Sequence, residues 1–243
     1  MSVFLWGVLP YLTLLLLIGG LWYRRRFDQF GWTSRSSQIY EKSILKIASP
    51  LFHYALFAVL GGHLVGLLIP KEWTYRVGIS QHTYHLMALV VGGIAGVVCV
   101  LALFALIIRR RTNPSVFAAT TWNDKGMYVV LTAALVLGLV ATFFGGERPN
   151  GEEVNYRDTV SVWFRSLFTF KPNIAAMEAA TLPFKIHVVV GLLLFCILPL
   201  TRLVHAFAAP VQYLFRPYIV YRSRGTRPVQ GSSWQTVGQK RTR

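Results

Sequence analysis

Five continuous apolar stretches dominate this 243-residue chain, at residues 4–22, 47–69, 86–108, 127–144 and 184–208. A hydrocarbon core about 30 Å thick takes ~20 apolar residues per spanning helix, and each stretch is near that length. None alternates with period two, as the strands of a membrane β-barrel would. With 54% hydrophobic and only 14% charged residues, and a mean hydropathy of +0.48, too little polar side chain remains to solvate a globular surface. The expected fold is therefore an all-α membrane protein, a five-transmembrane-helix bundle. The first stretch lacks a basic n-region and a small-residue cleavage site, and Arg24, Arg25 and Arg26 follow it. It reads as a retained helix rather than a signal peptide.

The net charge of +16 is unevenly placed. Segments after the first, third and fifth stretches hold 18 of the 25 Lys and Arg residues, against only Asp28, Glu41 and Asp124. The alternate segments hold the other cations beside Glu72, Glu147, Glu152, Glu153, Asp158 and Glu178. By the positive-inside rule this predicts the N-terminus outside and the C-terminus cytoplasmic, in a cell membrane. Basic residues in that arrangement serve orientation and contact with anionic lipid headgroups, so lipid is the expected partner and nucleic acid is not.

Residues 1–224 read as one membrane domain and residues 225–243, rich in Gly, Ser, Gln and Arg, as a basic cytoplasmic tail. The connection FDQFGWTSRSSQIYEKSILK mixes aromatics with cations, as a segment lying along the membrane surface would. The motif WFRSLFTF, inside the long connection 145–183, predicts an interfacial helix capping the bundle. Cys99 and Cys196 form no CxxC or CxxCH motif and read as packing residues.

Four of the six histidines sit inside apolar stretches: His53 and His63 in the second, His187 and His205 in the fifth. A polar side chain at bilayer depth faces the bundle interior, pairs with something or marks a cofactor or ion path. Consecutive helices run antiparallel, and so do the second and fifth of an N-out chain. His53 then lies level with His205, and His63 level with His187. On ideal helices the first two are roughly 15 Å apart in height and the other two ~27 Å, so the helices must tilt or bend for both pairs to close. Pro199 offers a kink.

Two imidazoles facing each other suit six-coordinate b-type haem, a centre that moves electrons and leaves no open position for substrate. Zinc would want three or four protein ligands at one level. A proton or metal transporter with a histidine relay, and a purely structural anchor, are rival readings. Gly61, Gly62 and Gly66 around His63, with Gly92, Gly93 and Gly96 on the third stretch, would let a porphyrin or a neighbouring helix approach closely. Arg202, three residues before His205, is placed to meet a haem propionate.

The blocks LFHYALFAVLGGHLVGLL and KIHVVVGLLLFCILPLTRLVHAFAAPVQYLFRPYIVYRSR, with FGWTSRSSQIYEK and AATTWNDK, together resemble the gamma subunit of respiratory nitrate reductase, a membrane cytochrome b. The resemblance reaches about Arg224. It implies two haem b groups, the iron of a distal one held by His63 and His187 and that of a proximal one by His53 and His205. It also implies a quinol, menaquinol or ubiquinol, as electron donor at the outer face. The partners implied are a cytoplasmic iron–sulfur subunit and a molybdenum catalytic subunit that reduces nitrate. The family's quinol site includes the pair matched by Gly62 and His63. The lysine that some members carry at the start of the third helix is absent from SQHTYHLM, where Tyr84 or His85 stands instead. A related haem-b, quinol-oxidising subunit of another cytoplasmic reductase, of sulfite or heterodisulfide type, is the alternative. His85, Tyr84, His82 and Glu72 are the candidates for relaying quinol protons.

Overall fold

The computed structural model describes residues 1–147, 151, 154–208 and 215. Residues 1–208 form one compact unit; of the separate unit 209–243 only Phe215 is described. The expected boundary at residue 224 and the tail 225–243 lie outside the described residues.

Among the described residues, five helices are long and apolar enough to cross a membrane. They are α1 (Phe4–Phe27), α2 (Ser43–Leu68), α3 (Gln81–Thr112), α4 (Trp122–Phe144) and the span Leu182–Leu200. A shorter helix, α5 (Val160–Leu167), precedes the last span, whose α-helical part is α6 (Leu182–Ile197). Several run past the apolar stretches that define them, because their ends are built from polar and capping residues. Arg24, Arg25 and Arg26 form the last turn of α1, where cations favour the negative end of the helix dipole. Ser80 accepts the Thr83 N–H at the start of α3, and Thr121 and Asp124 form a reciprocal capping box at the start of α4.

Helix α2 packs on α3, α3 on α4, α4 on α6 and α6 on α1. Helices α2 and α6, which carry three of the four histidines of the apolar stretches, are not among the closely packed pairs. The α2–α3–α4 core is Phe52, Ala55, Cys99, Ala102, Leu103, Met127 and Leu131. Small residues bring these helices together: a Cβ on Gly96 would meet Leu139 at 2.6 Å and one on Gly93 would meet Phe143 at 2.9 Å. Gly93 and Gly96 thus serve helix contact, whereas Gly92 has open space beside it. Large apolar side chains such as Leu15, Phe57, Leu101, Val129 and Leu193, one from each long helix, face outward, as a lipid-facing surface requires.

At one end of the bundle, α5 packs against the end of α2. Trp163 donates its indole N–H to the Trp6 carbonyl at 2.8 Å, and the two rings meet edge to face at 6.1 Å. The motif WFRSLFTF does form a helix that closes this end, over Val160–Leu167, followed by a turn at Phe168–Phe170. The opposite end is the basic one, with Arg24–Arg26, Lys42, Lys46 and Arg109–Arg111. There the segment between α1 and α2 is tied down by Arg109. Its guanidinium donates to the Ser37 hydroxyl and carbonyl, each at 2.9 Å, and is ion-paired with Glu41.

The last span departs from a straight helix. Pro199 cannot donate a backbone N–H; α6 ends at Ile197, a 3-10 turn covers Leu198–Leu200, and Thr201 is extended. His205 sits on a further 3-10 stretch, Arg202–Phe207. The break removes the expected mismatch in height between the two histidine pairs, because the chain redirects before it reaches His205.

Candidate paired-histidine site

Each histidine of α2 faces one from the last span. The His53 and His205 ring centroids are 6.1 Å apart, and those of His63 and His187 are 5.9 Å apart. Two metal–imidazole bonds of about 2 Å each, plus roughly 1 Å from each nitrogen to its ring centre, span about 6 Å. Both spacings therefore accommodate one metal between facing rings. No cluster of three or more His, Cys, Asp or Glu side chains suited to a metal ion occurs among the described residues. A two-ligand site of this kind suits a metal whose other positions are filled by a macrocycle.

Hydrogen bonding fixes the tautomer of three of the four rings. His53 Nδ1–H donates to the Ser49 carbonyl at 2.7 Å, His63 Nδ1–H to Val59 at 2.8 Å, and His205 Nδ1–H to Arg202 at 2.6 Å. A carbonyl can only accept, so the proton is on Nδ1 and the Nε2 lone pair is free to ligate. His187 differs: its buried Nδ1 makes no hydrogen bond of ordinary geometry among the described residues, although the Ala134 backbone of α4 lies within reach of the ring. Behind it lies Gly138 of α4, where a Cβ would stand 3.1 Å from Cε1 of the ring. Sequence reasoning did not single out Gly138, because nothing local marks a glycine that faces another helix's imidazole. Around His63 the glycines divide: Gly61 and Gly62 have open space beside them, whereas a Cβ on Gly66 would meet the Tyr156 hydroxyl at 2.8 Å.

A cavity of about 740 Å³ is lined by His53 and His205, within the roughly 300–1,000 Å³ typical of cofactor pockets. Phe52, Leu103 and Leu131 supply apolar walls, and Lys42, Lys46, Arg109, Arg110 and Arg202 supply cations. An apolar slot with a basic rim suits a flat macrocycle bearing carboxylates. Arg202 lines this cavity but is not free in it: Nε and Nη2 donate to the two oxygens of Asp124, both at 2.7 Å. Arg110, 7% exposed, bonds Tyr128 and Thr120 through Nε and Nη1, leaving Nη2.

At the other end, the Tyr84 and Tyr156 hydroxyls lie 3.2 Å apart. The buried guanidinium of Arg157 stacks 3.9 Å over the Tyr84 ring and donates to Thr74 and to the Ile69 carbonyl. Burial, aided by the bond from Tyr84, pushes the Tyr156 phenol well above the ordinary tyrosine range, so it stays protonated. His85 lies near Gly146, where a Cβ would be 3.9 Å from its ring. The structure thus gathers Tyr84 into a polar cluster with Tyr156 and Arg157, two residues that no local sequence signal marks.

A family model described as nitrate reductase gamma subunit matches residues 2–224. The chain is 53% identical over 224 residues to the nitrate reductase-like protein NarX of Mycobacterium tuberculosis (strain ATCC 25618 / H37Rv), which covers 92% of this chain and 34% of that protein. It is 41% identical over 220 residues to the nitrate reductase gamma chain of Bacillus subtilis (strain 168), covering 90% and 97% respectively. With the respiratory nitrate reductase 2 gamma chain of Escherichia coli (strain K12) it shares 34% identity over 225 residues, covering 92% and 98%. The chain therefore spans about a third of the first relative and nearly all of the other two.

Proposed function

The chain belongs to the nitrate reductase gamma subunit family, and from that premise we propose that it is a membrane-anchoring, di-haem cytochrome b subunit. In this reading it oxidises a quinol at the outer face and delivers the electrons to cytoplasmic iron–sulfur and molybdenum catalytic subunits that reduce nitrate. The observation that carries it is the pair of facing imidazole sets, 5.9 and 6.1 Å between centroids, each set with one ring from α2 and one from α6 or the 3-10 stretch that follows it. The basic end of the bundle is then cytoplasmic and the α5 end outside.

His53 and His205 would hold one haem b and His63 and His187 the other; when bound, these groups supply one-electron transfer at six-coordinate iron. The chain's residues orient and insulate. The Ser49, Val59 and Arg202 carbonyls hold three rings by Nδ1, and Phe52, Leu103 and Leu131 give the basic-end cavity its apolar walls. At the outer end, Gly62 leaves space beside His63 for a quinol ring. Tyr84 and His85 offer hydroxyl and imidazole groups able to take its protons outward. Moving each electron inward against a negative-inside potential costs about 2.3 kcal/mol per 100 mV, so a strong oxidant such as nitrate must draw it.

A dithionite-reduced minus oxidised spectrum with a haem count tests the proposal. Two b haems per chain are expected, with H63A or H187A removing one and H53A or H205A the other. A purified chain with no b-type haem would refute it.

A further inference from the structure

We propose that Asp124 is a positioning residue for His205: its carboxylate clamps the Arg202 side chain, and the Arg202 backbone carbonyl orients the His205 ring. The inference rests on the haem reading above and extends it to a residue on α4 that touches neither imidazole.

His53 and His63 each donate Nδ1–H to the carbonyl four residues earlier in α2, a helix that runs on through Pro50, so that both carbonyls stay inside it. His205 has no such support. Its acceptor is three residues earlier, in a six-residue 3-10 stretch cut off from α6 by Pro199 and the extended Thr201. Short 3-10 stretches have poor hydrogen-bond geometry and do not hold themselves rigidly. The position of the Arg202 carbonyl therefore depends on what anchors the residue from outside.

The anchor is the start of α4. Both Asp124 oxygens receive Arg202, from Nε and from Nη2, at 2.7 Å. A planar fork on a carboxylate fixes direction as well as distance. The carboxylate is itself fixed, because Oδ2 also accepts the Thr121 backbone N–H at 3.0 Å. Asn123 Nδ2–H also donates to the Leu200 carbonyl at 3.2 Å, so with Asp124 on Arg202 the redirected chain is held from α4 on both sides of Thr201, and Arg202 Nη1 reaches the Arg35 carbonyl of the α1–α2 connection at 3.4 Å. Asp124 is 1% exposed and Arg202 9%, which keeps water from replacing either partner. The second bond of a ligating histidine sets ring orientation and ligand basicity; here that bond is only as well placed as the clamp.

The test uses the full chain in membranes, with the His63/His187 haem as internal reference and H205A to identify the other signal. D124N keeps the shape but loses the charge and one acceptor, and R202K loses the fork. Both are expected to shift or abolish the g-value and the midpoint potential of the His53/His205 haem while the reference haem stays as in wild type. D28N breaks a different ion pair at the basic end, that of Asp28 with Arg24, and is expected to move neither signal. An unaltered His53/His205 haem in D124N and R202K would overturn the inference. So would equal disturbance of both haems, the mark of a merely structural ion pair. A wild-type chain without b haem would overturn the proposed function and this inference together, whereas a two-haem wild type separates them.

Discussion

Gly138 gives the sharpest handle on the His63/His187 pair. A Cβ there would stand 3.1 Å from His187 Cε1, 3.5 Å from Nδ1 and 3.7 Å from Nε2. Carbon atoms pack best about 3.5–4.0 Å apart, so G138A asks the ring to retreat by about 0.5 Å. That substitution also gains about 1 kcal/mol of helix propensity, which offsets the cost of that small shift at least in part. G138V adds two further methyl groups towards the ring, with an overpacking cost of about 1–3 kcal/mol. At 1.4 kcal/mol per tenfold change, that weakens retention of the haem between His63 and His187 by roughly 5- to 150-fold. Gly126 lies on the same helix with nothing within 4 Å of its Cβ position, so G126V makes the same change in propensity without the contact. Haem count and potentiometric titration of both variants decide the matter. G138V should deplete or shift one haem and leave the His53/His205 haem intact, and G126V should keep both. A G138V protein with two haems at wild-type potentials would refute the reasoning, as would loss of the other haem instead.

W163F removes the indole donor from the buried Trp6 carbonyl and should cost about 1–3 kcal/mol, read as a lowered melting temperature without haem loss; an unchanged melting temperature would count against the contact. The Ser43 hydroxyl, and then the Arg109 guanidinium, lower the Glu41 carboxyl to about 2. Because the folded value is depressed, its contribution to stability is present above the ordinary 4.5 and is lost as pH falls towards 2. The melting difference between wild type and E41Q should therefore be constant above about pH 5 and shrink below it. Y84F breaks the hydroxyl pair with Tyr156 and, with H85A, should slow quinol-driven haem reduction while dithionite reduction stays complete; a wild-type rate in either removes that residue from the quinol site.

Much of the architecture is legible in the chain because bilayer-length helices are written in local composition. The apolar stretches locate all five spans, and alternation of helix direction is enough to match His53 with His205 and His63 with His187. Charge asymmetry shows which segments are basic, but not what their few acids do. In the fold each of those three carboxylates meets an arginine: Asp28 with Arg24, Glu41 with Arg109 and Asp124 with Arg202. The last pairing qualifies the sequence expectation for Arg202, whose guanidinium is engaged by Asp124 at the edge of the cavity rather than standing free for a propionate.

What the sequence by itself determined is therefore what depends on neighbours along the chain: the spans, the caps, the break that Pro199 permits and the residue types able to ligate. Only the tertiary structure decided where Gly138 faces, that Arg157 stacks on Tyr84, and that the acceptor for His205 hangs from Asp124, 78 residues before Arg202. The physical reason is that a helix's own pattern fixes its length and which side chains share a face. The partner across a gap is set by how neighbouring helices pack, and that information is spread over residues far apart in the chain.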